Sequence, residues 1–298
     1  MKTRLKELLK PEVLNTVNGL ELVAKIIAEG FLSGSNRSQS IGVGYEFSQY
    51  RGYEPGDDLR LLDWKMFARS GKYFIKQSDI ETNITVKFVI DASQSMDYKE
   101  GGLTKLQYAK VLTAALAYLA RKQSDTFGLY SINERAISVV EPRFEQQQFI
   151  RFLNQLIRIE TEGAWANEKD LEALYRHVGK EMIVVFTDLY DREEDILRFI
   201  FKLKTTLNEV IVFHLMGETE RQLDEEGIFT YEDLESGTRV KVDTVLQQRA
   251  YRQKINGWLE QCRSGFLEKQ IEYHLVPFHQ SPEMVLFHFL NSRKRLFR

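Results

Sequence analysis

The chain has 298 residues, of which 43% are apolar and 28% charged; this balance excludes collagen-like, coiled-coil and disordered polymers and leaves enough apolar surface for a sizeable core. Lysine and arginine total 41 against 43 acidic residues, a net charge of −2 that gives no broad electrostatic reason to hold nucleic acid or an anionic membrane. The single cysteine, Cys262, excludes an internal disulfide and points to a reducing compartment.

Met1 to Pro11 alternates Lys and Glu with Leu and lacks the apolar core of a secretory signal, so a cytoplasmic protein is expected. The apolar spacing from Leu5 to Ile27 predicts two short amphipathic helices meeting at Asn18-Gly19, and the Gly- and Ser-rich stretch from Gly30 to Gly44 predicts a loop. Residues 45–80 mix aromatics with charges around a Pro55-Gly56 turn and predict short strands. Arg51, Tyr53, Asp57, Asp58, Arg60, Asp63 and Trp64 lie here. They read either as ion pairs and core aromatics that fix a small subdomain or as a partner-docking surface, since Tyr, Trp and Arg dominate binding hot spots.

From residue 82 strand and helix patterns alternate. Thr85–Ile90, 126–130, 136–140, Met182–Phe186, Val210–Leu215 and Ile271–Val276 read as strands; 103–122, 144–158, 168–178, 193–206, 243–265 and 282–292 read as helices. Val111–Ala120, the most apolar run, is too short to span a bilayer and reads as a buried helix. Runs that are apolar on both faces belong in a sheet covered on both sides. The expected fold is an α/β domain over 82–298, a doubly wound, mostly parallel sheet with helices on both faces. A small N-terminal α+β subdomain should occupy 1–81, and Gly227–Val242 should form a hairpin at the sheet edge.

Asp91-Ala-Ser93-Gln-Ser95 follows the first strand of that domain and Thr187-Asp188 follows a later one. In an open parallel sheet both would face one crevice at the carboxyl ends. Carboxylates and hydroxyls are hard oxygen donors suited to Mg²⁺, Mn²⁺ or Ca²⁺. Each segment alone also reads as an ordinary helix cap or turn.

Val89–Met96 resembles the first loop of the metal-ion-dependent adhesion site in von Willebrand factor A domains, Asp-x-Ser-x-Ser. Gly44–Trp64 resembles the hallmark segment of a bacterial family, domain of unknown function fifty-eight, and the likeness continues at Gly217–Glu220, Leu234–Thr238 and Phe287–Arg293. That resemblance implies a von Willebrand factor A-like domain, a cation site at Asp91, Ser93, Ser95 and Asp188, and association with a MoxR-type AAA+ ATPase. The family's middle-loop threonine has no counterpart in Glu162–Glu168; Asn167 or Thr161 would have to substitute, and Lys169 would compete with a cation.

Two function classes follow. One is a non-enzymatic adaptor or co-chaperone whose cation captures a partner's carboxylate. The other is a Mg²⁺-dependent phosphatase of the haloacid-dehalogenase class, with Asp91 as nucleophile, Ser131 holding phosphate, and Asp188 and Asp191 on the metal; Ser93 stands where that chemistry needs a general acid. No phosphate-cradling glycine loop follows a strand, the five histidines lack metal-ligand spacing, Cys262 reads as an inert thiol, and the basic tail Arg293–Arg298 reads as a solvated terminus.

Overall fold

A computed structural model describes residues 8–38, 49–53, 62–77, 84–167, 171, 174–175, 179–190 and 194–296. Helices α1 (Pro11–Leu14) and α2 (Val17–Ser38) come first. They break at Asn15-Thr16 rather than at Asn18-Gly19, because the Thr16 hydroxyl accepts the Gly19 N–H and starts α2. Gly19 allows the close approach: a Cβ there would lie 2.1 Å from the Val13 carbonyl. α2 also runs through the first half of the stretch expected to be loop, since an established helix extends at small cost per residue.

The described residues fall into two compact units, Leu32–Asn83 and the remainder. The expected division at residue 81 is therefore corrected at its start. Leu20, Val23, Ala24, Ile27 and Ala28 of α2 are buried in the core of the large unit, so the N-terminal helices belong with the α/β domain. The small unit pairs β1 (Gln49–Gly52) antiparallel with β2 (Phe74–Gln77) around α3 (Trp64–Ser70).

In the large unit β3 (Thr85–Asp91), β6 (Thr126–Ile132), β7 (Ile137–Arg143), β8 (Glu181–Thr187), β9 (Asn208–Met216) and β12 (Glu272–Pro277) form one sheet in the order β12-β9-β8-β3-β6-β7. All its neighbours are parallel except β6 and β7, and β4 (Lys99–Glu100) pairs antiparallel with β5 (Leu103–Thr104) apart from it. Period-two alternation divides the side chains between two cores. Phe88, Ile90, Val184, Phe186, Ile211 and Phe213 pack with α2, α4 (Lys105–Lys122), α5 (Gln148–Arg158) and α9 (Pro282–Leu296). Val89, Ile183, Val185, Val210 and Val212 pack on the other face with α6 (Asp195–Leu203) and α8 (Thr244–Glu268). The expected mostly parallel α/β sheet with both faces covered is what the structure has. Among the described residues no helix is long and apolar enough to cross a membrane.

Three local expectations change. The helix expected from 144 starts at Gln148, since β7 runs to Arg143. Most of the helix expected over 168–178 lies outside the described residues. The hairpin of β10 (Ile228–Glu232) and β11 (Arg239–Asp243) is a separate two-stranded sheet, and β7 and β12 are the edges of the main one. Its Ile228 and Val240 are exposed while Phe229 and Tyr231 are half-buried, and its turn is held elsewhere, as described below.

The β6–β7 pairing shifts register between Phe127 and Leu129. The buried Gln148 amide spans the irregularity, donating to the carbonyls of Phe127 and Glu141, each at 2.9 Å. A Cβ on Gly128 would lie 2.6 Å from the Val140 carbonyl and 2.7 Å from the Pro142 ring. Gly128→Ala should therefore cost about 1–3 kcal/mol, the range for overpacking, and lower the urea midpoint of unfolding; an unchanged midpoint would refute this account of the bulge.

Candidate metal centre

Asp91 closes β3 and Asp188 stands one residue past β8, so the two carboxylates leave adjacent parallel strands at the same end. Strand order reverses between them: the chain runs outward from β3 through β6 and β7, then returns to β8 on the opposite side. This is the switch point at which open α/β sheets bind ligands.

The side chains form one hydrogen-bonded chain. Asp91 Oδ1 accepts the Ser93 N–H at 3.0 Å, and Oδ2 accepts the Thr187 hydroxyl at 2.7 Å. The Ser93 and Ser95 oxygens are 3.0 Å apart, and the Ser95 hydroxyl donates to Asp188 Oδ1 at 3.1 Å; with its proton so used, Ser95 accepts from Ser93. The Tyr190 N–H reaches the same Asp188 oxygen at 3.2 Å. Asp188 Oδ2 takes the Lys105 ammonium at 2.8 Å, and Lys105 donates again to Glu220 Oε1 at 2.6 Å. Asp91 and Ser93 are fully buried, and Lys105 and Asp188 nearly so.

Local structure fixes each of these groups. Thr104 caps α4 through a reciprocal bond with Gln107, which sets Lys105 in the first turn. Glu220 lies in α7 (Glu218–Gln222), where its second oxygen accepts the Gly217 N–H at 2.7 Å. The middle loop lies beside the first: Glu162 N–H donates to the Ala92 carbonyl at 3.0 Å and Gln94 N–H to the Gly163 carbonyl at 2.7 Å.

A fourth carboxylate faces the site. Glu235 sits in the β10–β11 turn with its side chain toward Ser95, Asp188 and Asp91, and its Oε1 is buried without a hydrogen-bond partner. The turn is anchored by Asp233, whose Oδ1 accepts the N–H groups of Glu235 and Ser236 at 2.9 and 3.1 Å. Asp233 Oδ2 accepts the Tyr190 hydroxyl at 2.8 Å.

The electrostatics are unbalanced. Burial, then the Asp188 charge, push Asp91 up to about 7 against the pull of its Ser93 and Thr187 bonds. Burial, then Asp188 and Asp91, push Glu235 up to about 7. Burial alone would lower the Lys105 amine, but Asp188 and Glu220 outweigh it and keep it protonated. Lys105 pairs with Asp188 and Glu220, whereas Asp91 and Glu235 are set by burial and by neighbouring carboxylates. His214 adds no positive charge, because burial lowers it to about 4.

A small hard divalent cation fits this donor set. The Ser93–Ser95 oxygen spacing matches the roughly 2.9 Å between adjacent ligands of an octahedral Mg²⁺, and Asp188 Oδ1 and the Glu235 carboxylate both lie against Ser95. Among the described residues no three His, Cys, Asp or Glu side chains gather as a ready-made ligand group, so a cation here would rest on serine hydroxyls as much as on carboxylates.

The four expected site residues, Asp91, Ser93, Ser95 and Asp188, are therefore together. Asn167 is exposed, Lys169 lies outside the described residues, and the lysine that meets the site is Lys105. Ser131 is buried on β6 beside Ile90, and Asp191 is not among the described residues. Cys262 is buried, which pushes its thiol up to about 11 and suits an inert role.

Of the expected docking residues, Asp57, Asp58 and Arg60 lie outside the described residues, and Arg51 is described only as part of β1. Asp63 caps α3, accepting from Lys65 and Met66 N–H. Tyr53 packs edge-on against Tyr73, which stacks on Phe67 at 4.5 Å. Trp64 is 63% exposed.

Sequence reasoning missed Lys105, Glu220 and Glu235 as members of the site, and named Thr187 only as the neighbour of Asp188. Glu220 and Glu235 nevertheless fall in two of the segments that carry the family resemblance, whereas Lys105 is indistinguishable in sequence from other helix-initial lysines.

Comparison with known proteins matches residues 49–263 to the family model described as "Protein of unknown function DUF58". An uncharacterized protein of Mycobacterium tuberculosis is 28% identical over 137 residues, 46% of this chain and 43% of that relative, so the match spans less than half of the relative's length. Among solved structures, the conserved hypothetical protein BatB from Bacteroides thetaiotaomicron aligns with a TM-score of 0.44 and 14% identity, over 71% of this chain and 99% of that one. A von Willebrand factor type A protein from Catenulispora acidiphila aligns with a TM-score of 0.35 and 18% identity, over 45% and 33%.

A carboxyl raised from 3.8 to about 7 binds its proton more tightly folded than unfolded, so it costs stability as pH rises through that window and costs most above it. Without divalent cations, Asp91→Asn should match wild type near pH 4 and exceed it by a few kcal/mol at pH 8. Urea titrations across that range test this; parallel stability curves for the two proteins would contradict it.

Proposed function

Because the chain belongs to the DUF58 family, whose function is unknown, we propose that it is a non-enzymatic protein-interaction module built on a cation-dependent site. Ser93, Ser95, Asp188 and Asp91 would hold Mg²⁺, Mn²⁺ or Ca²⁺. The cation's remaining position would capture a partner's carboxylate, so that affinity depends on one acidic side chain entering the crevice. The observation that carries this reading is the joining of the buried Asp91 and Asp188 through the paired Ser93 and Ser95 hydroxyls, with Lys105 on the far oxygen of Asp188. The resemblance of the hallmark segment names the partner class: a MoxR-type AAA+ ATPase, for which this protein would act in the cytoplasm as adaptor or co-chaperone. The exposed Trp64 supplies a second anchor of the residue type that dominates such contacts.

The environment of Asp91 speaks against the phosphatase reading. Ser93, two residues on, stands where that chemistry needs a general acid, and its hydroxyl is paired with Ser95.

Mg²⁺ or Mn²⁺ should raise the melting temperature of wild type and leave Asp91→Ala unmoved; equal shifts in both would remove the cation from this site. In affinity capture from host extract with Mg²⁺, wild type should retain an AAA+ ATPase and the Asp91→Ala, Ser93→Ala double variant should lose it. Equal capture by both would place docking elsewhere. No turnover of p-nitrophenyl phosphate with Mg²⁺ is expected, and turnover abolished by Asp91→Asn would establish the phosphatase.

A further inference from the structure

The β10–β11 hairpin is an insertion between β9 and α8 that contributes nothing to the main sheet, yet its turn is built to a definite shape. Asp233 N–H donates to the Thr238 carbonyl at 2.9 Å, Gly237 N–H to the Asp233 carbonyl at 2.7 Å, and Gly237 takes a φ of +67°. The bond from Tyr190 to Asp233 ties this turn to the segment just past Asp188. The side chain thereby delivered to the crevice is Glu235, directed at Ser95 and the two aspartates.

Burying an unpaired carboxylate oxygen beside other carboxylates is unfavourable unless something there binds it. Lys105 is already committed to Asp188 and Glu220. What the Glu235 oxygen lacks is a cation, and what a cation on Ser93 and Ser95 lacks is a further carboxylate. The Glu235 side chain already lies against Ser95.

We propose that Glu235 is a ligand supplied by the chain itself, which completes the coordination of the divalent cation and holds the site closed in cis at the position an external carboxylate would take. The inference rests on the cation-site reading above. It adds that a partner must displace the turn to bind, and that the Tyr190–Asp233 bond sets how readily the turn leaves.

The test uses Mn²⁺ on the full chain, read by electron paramagnetic resonance for affinity and by water-proton relaxation for exchangeable water on the bound ion. Wild type, Glu235→Ala and the isosteric Glu235→Gln are compared, with Ser93→Ala as the site control and thermal melts confirming that all are folded. Glu235→Ala should bind Mn²⁺ about tenfold or more weakly, as loss of a supporting ligand does. Its bound ion should relax water more strongly because a position opens. Acetate should bind that opened position and lower the relaxation in Glu235→Ala, with no effect on wild type. Glu235 variants that match wild type in affinity and relaxation, while Ser93→Ala loses Mn²⁺, would overturn this inference and leave the cation site standing. Wild type that binds no Mn²⁺ would overturn both.

Discussion

The charge held between two buried strand ends governs this molecule. Both faces of the sheet are sealed by helices, so polar chemistry gathers where β3 and β8 stop. There the chain places two carboxylates with almost no access to water. A buried ion is tolerated only when paired and hydrogen-bonded, and the surrounding segments supply that pairing. The N-terminus of α4 is arranged to deliver Lys105, α7 is capped so that Glu220 shares that lysine, and Thr187 turns its hydroxyl onto Asp91.

The parts legible in sequence were those written in local pattern. Continuous apolar runs gave the strands, and their carboxyl ends gave Asp91 and Asp188 as neighbours before any coordinates, because parallel topology leaves those ends on one side. The serines followed from spacing within a single turn. Lys105 was not legible: it sits beside Thr104 as any first-turn lysine would, and only the fold brings it to a carboxylate 83 positions away. Glu235 was hidden differently. Period-two alternation in 228–242 announced a hairpin, but nothing in that pattern says that the turn, rather than the strands, makes the long-range contact.

The break expected at Asn18-Gly19 and the loop expected from Gly30 treated glycine and serine as interruptions, whereas the Thr16 hydroxyl starts α2 before Gly19 and a helix already packed through Ala28 extends onward at small cost. The same burial moves the domain boundary, since apolar periodicity shows that a helix has a face to bury without showing what covers it. The small unit stays the least legible part: Asp63 reads as a helix cap, while the turn that carries Asp57, Asp58 and Arg60 lies outside the described residues.

Assembly of the centre from distant segments also constrains how the molecule can be made. Its members run from Asp91 through Lys105, Asp188 and Glu220 to Glu235, and closing such loops is what slows folding in chains with many non-local contacts. During synthesis the first aspartate must wait for β8 to emerge before Thr187 and Asp188 reach it, and for the hairpin before the last carboxylate arrives. Competence at this site therefore requires synthesis to have passed the hairpin, and a fragment ending before residue 235 would lack Glu235 together with the parts of both cores that α8, β12 and α9 supply.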